Sequence, residues 1–339
     1  MLNVKYEKFF NPRKRVYDMK ADLHAHGPIR FHKYFLKKQG YKENILKLMT
    51  DVCFKRAIAI CAIISEEADQ RKEGYRKRDG IKLVAKGILK NKVNLSDVIE
   101  ENSEVKKIEK NSVNNRFGFL LKEMKKMPRG YEAKMLGKNI IIVKKGNRKV
   151  FFINGQTVHS IDGKRVIESL VIGTNEIANY LKIEDFLKIV KKENYVIIAE
   201  HPACESHHGI GKKLLQEYKD YYDAVEGHNS QLMVPALFFP WSDFLSSFTK
   251  KKNAEAKVLA ASLKKPWVAT SDCHRIEDIG VSYIEFKDKI NTSNEKDFLK
   301  DLKRIVSNNN FNKKCSYQPV LGGLSWSSKL LWGAGIKKI

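Results

Sequence analysis

The chain has 339 residues, too many for most single small cores, and 42% of them are hydrophobic, as in ordinary soluble globular proteins. Its 64 Lys and Arg against 39 Asp and Glu leave a formal charge of +25, a field that attracts polyanions and phosphorylated substrates, although lysine is spread through every segment. Five widely spaced cysteines with no CxxC pair argue against a disulfide scaffold, and no apolar run is of membrane-spanning length; the opening "MLNVKYEKFFNPRKRVYDMK" has no signal-like core. The expectation is a cytoplasmic protein with no membrane partner, built as one barrel with insertions or as two domains.

Residues 1–16 read as a basic lead-in. A first strand is expected over Tyr17–His24, entering "DLHAHG", where Gly27 and Pro28 turn the chain toward a helical pattern. "NILKLMTDVCFKRA" reads as an amphipathic helix with Ile45, Leu46, Met49, Val52 and Cys53 on one face. "AIAICAII" (57–64) is wholly apolar and suits a buried strand of a parallel sheet. Residues 66–135 then become highly charged. Their apolar residues (Ile81, Val84, Ile88; Phe119, Leu120, Met124) recur at helical spacing, so the stretch reads as a charged helical insertion. It is either a solvated face or an arm for a partner or nucleic acid.

"NIIIVKKGNRKVFFINGQTV" reads as two strands around the hairpin signal Gly146-Asn147. After it, strands and helices alternate: "ESLVIGTNE", "KIEDFLKIVKKEN", "YVIIAEHP", "KKLLQEYKDYY", "DAVEGHN", "NAEAKVLAASLKK", "PWVATSDCH", "VSYIEF" and "EKDFLKDLKRIVSN". Residues 311–339 read as a tail packed on the body. Such alternation implies a parallel sheet with crossover helices. The domain expected is 17–310, interrupted by 66–135.

Four apolar strands finish in metal-type ligands: "ADLHAH", "IIAEHP", "AVEGHN" and "VATSDCH". In α/β sheets the C-terminal strand ends form the active-site face. A strand turns alternate side chains to one side, so His24 and His26 can chelate together, although two surface histidines would read the same way. His24, His26, His32, His201, His207, His208, His228 and His274 all lie at or just after such ends, and only His159 falls elsewhere. Imidazole and carboxylate donors suit Zn, Mn or Fe.

"DLHAH" followed by His32, then "AEHP", "VEGHN" and "TSDCH", resembles the PHP family, named for polymerase and histidinol phosphatase domains. The resemblance covers roughly 17–65 and 138–290. It implies an α/β, distorted TIM-like (β/α)7 barrel holding divalent metals and hydrolysing phosphoesters. Carried over, it makes His24, His26 and Asp272 ligands of a first metal, His201 of a second, and His32 with His274 of a third. Glu226 matches an acidic residue that orients ligands or joins them, and His228, which has no fixed family role, is held open in the same way. The family's Asp-His ending is replaced by Ala62 and Ile63, and Thr157 stands where its metal-bridging Glu belongs. Glu176 is a second candidate for that Glu, and His207 or His208 could replace a further missing histidine. One or two ions are therefore expected.

The activity expected from the resemblance is phosphoester hydrolysis, with a metal-bound hydroxide attacking phosphorus and His201 or Asp272 handling the proton. Arg30 and Arg275 are candidates to clamp phosphate oxygens, or are plain surface charges. Cys273 alternates away from Asp272 and His274 and reads as packing; Cys204 is a weak ligand candidate. The substrate is a phosphorylated small molecule or a nucleic acid. Two alternatives stay open: a PHP-like barrel that has lost catalysis and binds nucleic acid, which the charge favours, and an amidohydrolase-type metal hydrolase.

Overall fold

The alternating run that leads into the two histidines forms β1 (Lys20–Ala25), and the apolar run after it forms β2 (Ile58–Ser65). Between them α1 (Ile45–Arg56) starts at Asn44, whose side chain accepts from the Lys47 N–H, and stops at Ala57 in the left-handed region. The computed structural model describes residues 19–27, 42–65, 116–163, 165–193, 195–231 and 242–318. The lead-in 1–16, Arg30, His32, residues 66–115 of the insertion and the tail after Gln318 lie outside these residues.

The rest of the chain adds α2 (Arg116–Met124), β3 (Glu132–Met135), β4 (Ile140–Lys145), β5 (Arg148–Asp162), β6 (Arg165–Ile172) and β7 (Leu181–Lys182). Then come α3 (Ile183–Lys191), β8 (Val196–Ala199), α4 (Gly211–Tyr218), β9 (Ala224–Asn229), α5 (Ser242–Ser262), β10 (Trp267–Thr270), β11 (Tyr283–Phe286), α6 (Glu295–Ser307) and β12 (Phe311–Lys314). No helix among the described residues is long and apolar enough to cross a membrane. The last stretch of the insertion packs into the body: Phe117 and Leu120 are buried against α1 and β2, and buried Arg116 donates to the His26 carbonyl at 2.7 Å.

Nine strands follow one hydrogen-bonded path, β10-β9-β8-β6-β5-β2-β1-β11-β12. The path nearly closes on itself, because the end of β10 returns to β1. The Asp272 N–H donates to the His24 carbonyl (2.7 Å), and the His26 N–H to the Cys273 carbonyl (2.9 Å). The result is a mixed α/β, barrel-like sheet.

The sheet is not parallel throughout. β1, β2 and β5 run parallel, as do β8, β9 and β10, but β6 is antiparallel to both β5 and β8. The reason is connection length. Asp162 pairs with Arg165 across a tight turn at Gly163, whereas a parallel crossover needs about a dozen residues or more. Six strands therefore leave at one end of the sheet, and β6 enters there.

Alternation along β2 serves two cores: Ile60, Ala62 and Ile64 face one way with Leu23, Ile198 and α6, while Cys61 and Ile63 face the other with α1 and α2. α3, α4 and α5 cover β6, β8 and β9 with Phe186, Leu187, Leu215 and Ala260. Ala62 and Ile63, where the resemblance expected ligands, are thus filled by packing.

Candidate metal centre

Simple alternation would put Asp22 beside the two histidines. Instead Asp22 is tied down by the Ser271 hydroxyl (2.5 Å) and the Gly280 N–H (2.8 Å). His24 and His26 do meet: their Nε2 atoms lie 2.8 Å apart. Asp272 crosses from the end of β10, with Oδ1 3.3 Å from His24 Nε2 and 3.2 Å from His26 Nε2. Its backbone takes the left-handed conformation (φ 45°), which aspartate tolerates better than most residues. All three residues are buried.

The hydrogen bonds behind the rings decide what the front atoms are. His24 Nδ1 meets Glu226 Oε1 at 2.7 Å, and His26 Nδ1 meets the Ile64 carbonyl at 3.1 Å. A carbonyl and a carboxylate only accept, so both Nδ1 atoms donate, and once the Nε2 positions are deprotonated their lone pairs face Asp272. Donors held about 2.1 Å from one cation stand about 3.0–3.4 Å apart. The two spacings to Asp272, 3.3 and 3.2 Å, match a shared ligand triangle, and the 2.8 Å between the two Nε2 atoms is slightly tighter.

Glu226 is an orienting group. Its Oε1 also accepts from the Thr270 hydroxyl (2.6 Å), and its Oε2 from the His201 N–H (2.9 Å) and Asn229 Nδ2 (3.2 Å). Both oxygens are thereby committed. Asn229 Nδ2 also donates to Asp272 Oδ2 (2.8 Å), which leaves Oδ1 facing the histidines.

A second group joins Glu168, Glu200 and His201. His201 Nε2 lies 3.2 Å from Glu168 Oε2 and 3.5 Å from Glu200 Oε1. Glu168 is held from behind by His159, its cross-strand partner, at 2.9 Å. Glu200 Oε1 is also 3.5 Å from His24 Nε2, so this residue touches both groups. Glu200 Oε2 and His201 Nδ1 are buried without a hydrogen-bond partner.

The electrostatics favour a cation. Burial works against a charged His24, but Asp272, Glu226 and Glu200 outweigh it and lift the imidazole to about 10. Burial raises Asp272, and His24, His26 and His274 reverse this and hold its carboxyl well below the usual range. Burial also opposes the charge of Glu168, yet His159 and His201 hold it low in the same way. His24 overcomes burial at Glu226 and lowers it, whereas at Glu200 burial prevails and the carboxyl is raised. Four carboxylates converge here with histidines as their charged partners among the described residues. Such a site asks for positive charge, supplied by protons or by metal. The lone-pair geometry and the unpartnered Glu200 oxygen fit a metal.

The other expected residues divide. His274 stays near, its Nδ1 3.8 Å from Asp272 Oδ1 and its ring 4.5 Å from that of His26. His228 leaves the site, against expectation: its Nε2 donates to the Ser316 carbonyl (2.9 Å) and its ring packs on Tyr317. Arg275 is turned to its own loop, with Nε 3.5 Å from Glu277, so the phosphate clamp expected of it is already occupied. Glu176 is exposed near Lys138, and His207 and His208 are exposed on the loop after β8. Thr157 pairs with Leu170 in mid-strand, and Cys204 and Cys273 are buried as packing residues. His32 and Arg30 lie outside the described residues.

Glu168, Glu200 and His159 escaped the sequence reading. The signal for Glu200 was in the quoted "AEHP" itself. That for Glu168 was the short turn before β6, which brings the start of this strand to the face where the others end.

Fold and site together define a mixed α/β protein with a candidate metal centre at its strand ends. Residues 250–305, which include Asp272 and His274, match the family model described as PHP-associated. This match, which covers β10 and the Asp272 loop, bears out the PHP resemblance, and PHP proteins are often metal-dependent phosphoesterases. Among curated proteins none matches the chain. One similar solved structure is the crystal structure of PsfC from Pseudomonas syringae PB-5123, 10% identical over 94% of this chain and 99% of that one, with a TM-score of 0.49.

Proposed function

We propose that this protein is a metal-dependent hydrolase of phosphoesters, with its sheet a distorted (β/α)7 barrel of the PHP type. The observation that carries this reading is the convergence of two Nε2 atoms and one carboxylate oxygen, each braced from behind by Glu226, Ile64 or Asn229. His24, His26 and Asp272 would hold the cation and leave further positions for water and substrate. When bound, the cation supplies Lewis acidity toward a water and a phosphoryl oxygen.

The chain's own groups then have separate tasks. Asp272 remains ionised and acts as a ligand, since its carboxyl is too weak a base at neutral pH. His274, at the rim beside Asp272, is the group placed to pass a proton outward. The buried carboxylates would repel a phosphate until cations balance them, which makes metal loading a condition for substrate binding. The charge of +25 supports a polyanionic substrate, a nucleic acid or a phosphorylated small molecule. Five free cysteines suit a reducing cytoplasm.

Metal analysis of the purified protein, with phosphomonoester and phosphodiester hydrolysis after Mn, Zn or Fe is added, tests the reading. Stoichiometric metal and metal-dependent turnover, both lost in His24→Ala, are expected. No bound metal and no turnover would sink the proposal. Salt-sensitive nucleic-acid binding that survives a His24→Ala, Asp272→Ala double substitution would then favour a non-catalytic binder.

A further inference from the structure

We propose that the seam between α5 and β12 is a docking track for a single-stranded nucleic acid, whose phosphates its lysines grip and whose bases its aromatic rings stack. The track stands without the metal reading; only its use as a way in for substrate rests on that reading.

β10 and β12 are the two ends of the nine-strand path, and no hydrogen-bonded ladder joins them. A side chain crosses instead. Lys313 of β12 sets its Nζ 4.8 Å from the centre of the Trp267 ring at the start of β10. Lys257 of α5 meets the same ring at 4.9 Å. Farther along, Lys250 lies 5.8 Å from the Tyr317 ring. Lys250 and Lys257 stand two turns apart on one face of α5, about 10 Å along its axis. Lys257, Lys313 and Lys314 all act on the Cys315 thiol, opposing the rise that partial burial gives it.

Lysine is common throughout this chain, so number alone says little. Pairing says more. Elsewhere Lys47 sits against Glu43, Lys138 against Glu176, and Lys188 against Asp185. Among the described residues no carboxylate is within ion-pair reach of Lys250, Lys257, Lys313 or Lys314, and Glu255 of α5 is taken by Lys252. Unpaired like charges on one surface repel until an anion meets them. The rings hold the ammonium groups in place before it arrives, which lowers the ordering cost of binding.

Alternating lysines and rings suit a single strand. Phosphates draw the lysines off the rings, and bases stack where they lay. An acidic peptide would leave Trp267 and Tyr317 unused. A membrane surface would need several protruding apolar groups, and Val258 is the one exposed large hydrophobic among the described residues of α5.

The track also leads somewhere. After β12 the chain passes over the ends of β9 and β10. The Ser316 carbonyl accepts from His228, and the Tyr317 ring packs on His228. Gln318 Nε2 donates to the carbonyl of Ser271, the neighbour of Asp272, at 2.9 Å. A strand on the track is thereby brought to the rim of the candidate metal centre, and His228 anchors that end.

Fluorescence anisotropy of a labelled thymidine oligonucleotide, with the full chain in chelator, tests the track apart from the metal centre. Binding is expected, with a log–log salt slope of about −3, as four phosphate contacts on a single strand give. Lys257→Glu combined with Lys314→Glu is expected to weaken binding at least about tenfold and to flatten the slope. The same charge reversal at Lys138 and Lys188, which have carboxylate partners, is expected to weaken it less than about threefold. An equal loss in that control would mean that net charge alone binds, and would overturn the inference. So would the absence of binding, or polyglutamate that displaces the labelled strand as readily as the unlabelled oligonucleotide does. Such a failure leaves the metal reading standing, because no metal takes part in the measurement.

Discussion

The two ligand groups share one pocket but are built in opposite ways. In the first, every atom not facing the cation position is already committed: His24 Nδ1 to Glu226, His26 Nδ1 to the Ile64 carbonyl, Asp272 Oδ2 to Asn229. Its donors stand on β1 and β10, whose backbone bonds draw the two ends of the sheet together. In the second, the donors come from the start of β6 and the loop after β8, and Glu200 Oε2 and His201 Nδ1 are left without partners. The first group is organised before a metal arrives. The second keeps a buried carboxylate oxygen, Glu200 Oε2, with no donor from the described residues, which a cation, a proton or a water would meet. Preorganisation is what separates tight from weak sites built from the same side chains.

The sharpest way to break this contrast is Asp272→Asn. It keeps the shape but removes the charge that faces two Nε2 atoms. A fall in hydrolysis of about 1000-fold is expected, with loss of metal from the first group, read by metal analysis and turnover on one sample. An unchanged metal content would show that the histidines alone suffice.

Glu226→Gln tests the bracing rather than the ligands. The amide can no longer act as a full acceptor for His24 Nδ1–H, and metal affinity should fall about 10–100-fold. Because Glu226 also holds the His201 N–H, both groups should weaken together in a calorimetric titration. A loss confined to one of them would mean that the shared brace is not what organises the pocket.

The smallest effect is that of pH. His24 lies near 10, so a cation must displace its proton, and apparent affinity should rise with pH by up to about tenfold per unit below that value. Titration in buffers of different ionisation heat should show proton release near neutrality. For the protein without added metal the sign reverses. The charged His24 stabilises the fold fully below an unfolded pKa of about 6.5, and this contribution fades as pH rises through about 10. Melting of chelator-treated protein across that window checks it, and a melting temperature that climbs instead would contradict the assignment.

The local features could be read without the fold. β2, the hairpin at Gly146-Asn147 and α6 fall where apolar period and turn chemistry put them, because those signals act within a few residues. The histidines of β1 and the aspartate after β10 could be singled out because an apolar strand has no packing reason to end in them. Long-range features were harder. His228 sits in the same strand-end pattern as Glu226, yet hydrogen bonds with Ser316 and contact with Tyr317 take it away. Nothing near His228 in the chain announces that partner.

Taken by itself, the sequence singled out His24, His26, His201 and Asp272 as metal-type side chains at strand ends, and the resemblance marked Thr157 as the place where the usual bridging acid is missing, but it did not single out Glu168 or Glu200. Only the tertiary structure decided which of them meet. The turn between Asp162 and Arg165 is too short for a crossover, so β6 runs backward and delivers Glu168 to the face where six other strands end. Direction and neighbour are properties of the closed sheet, not of any segment, and they put Glu200 between the two groups of histidines.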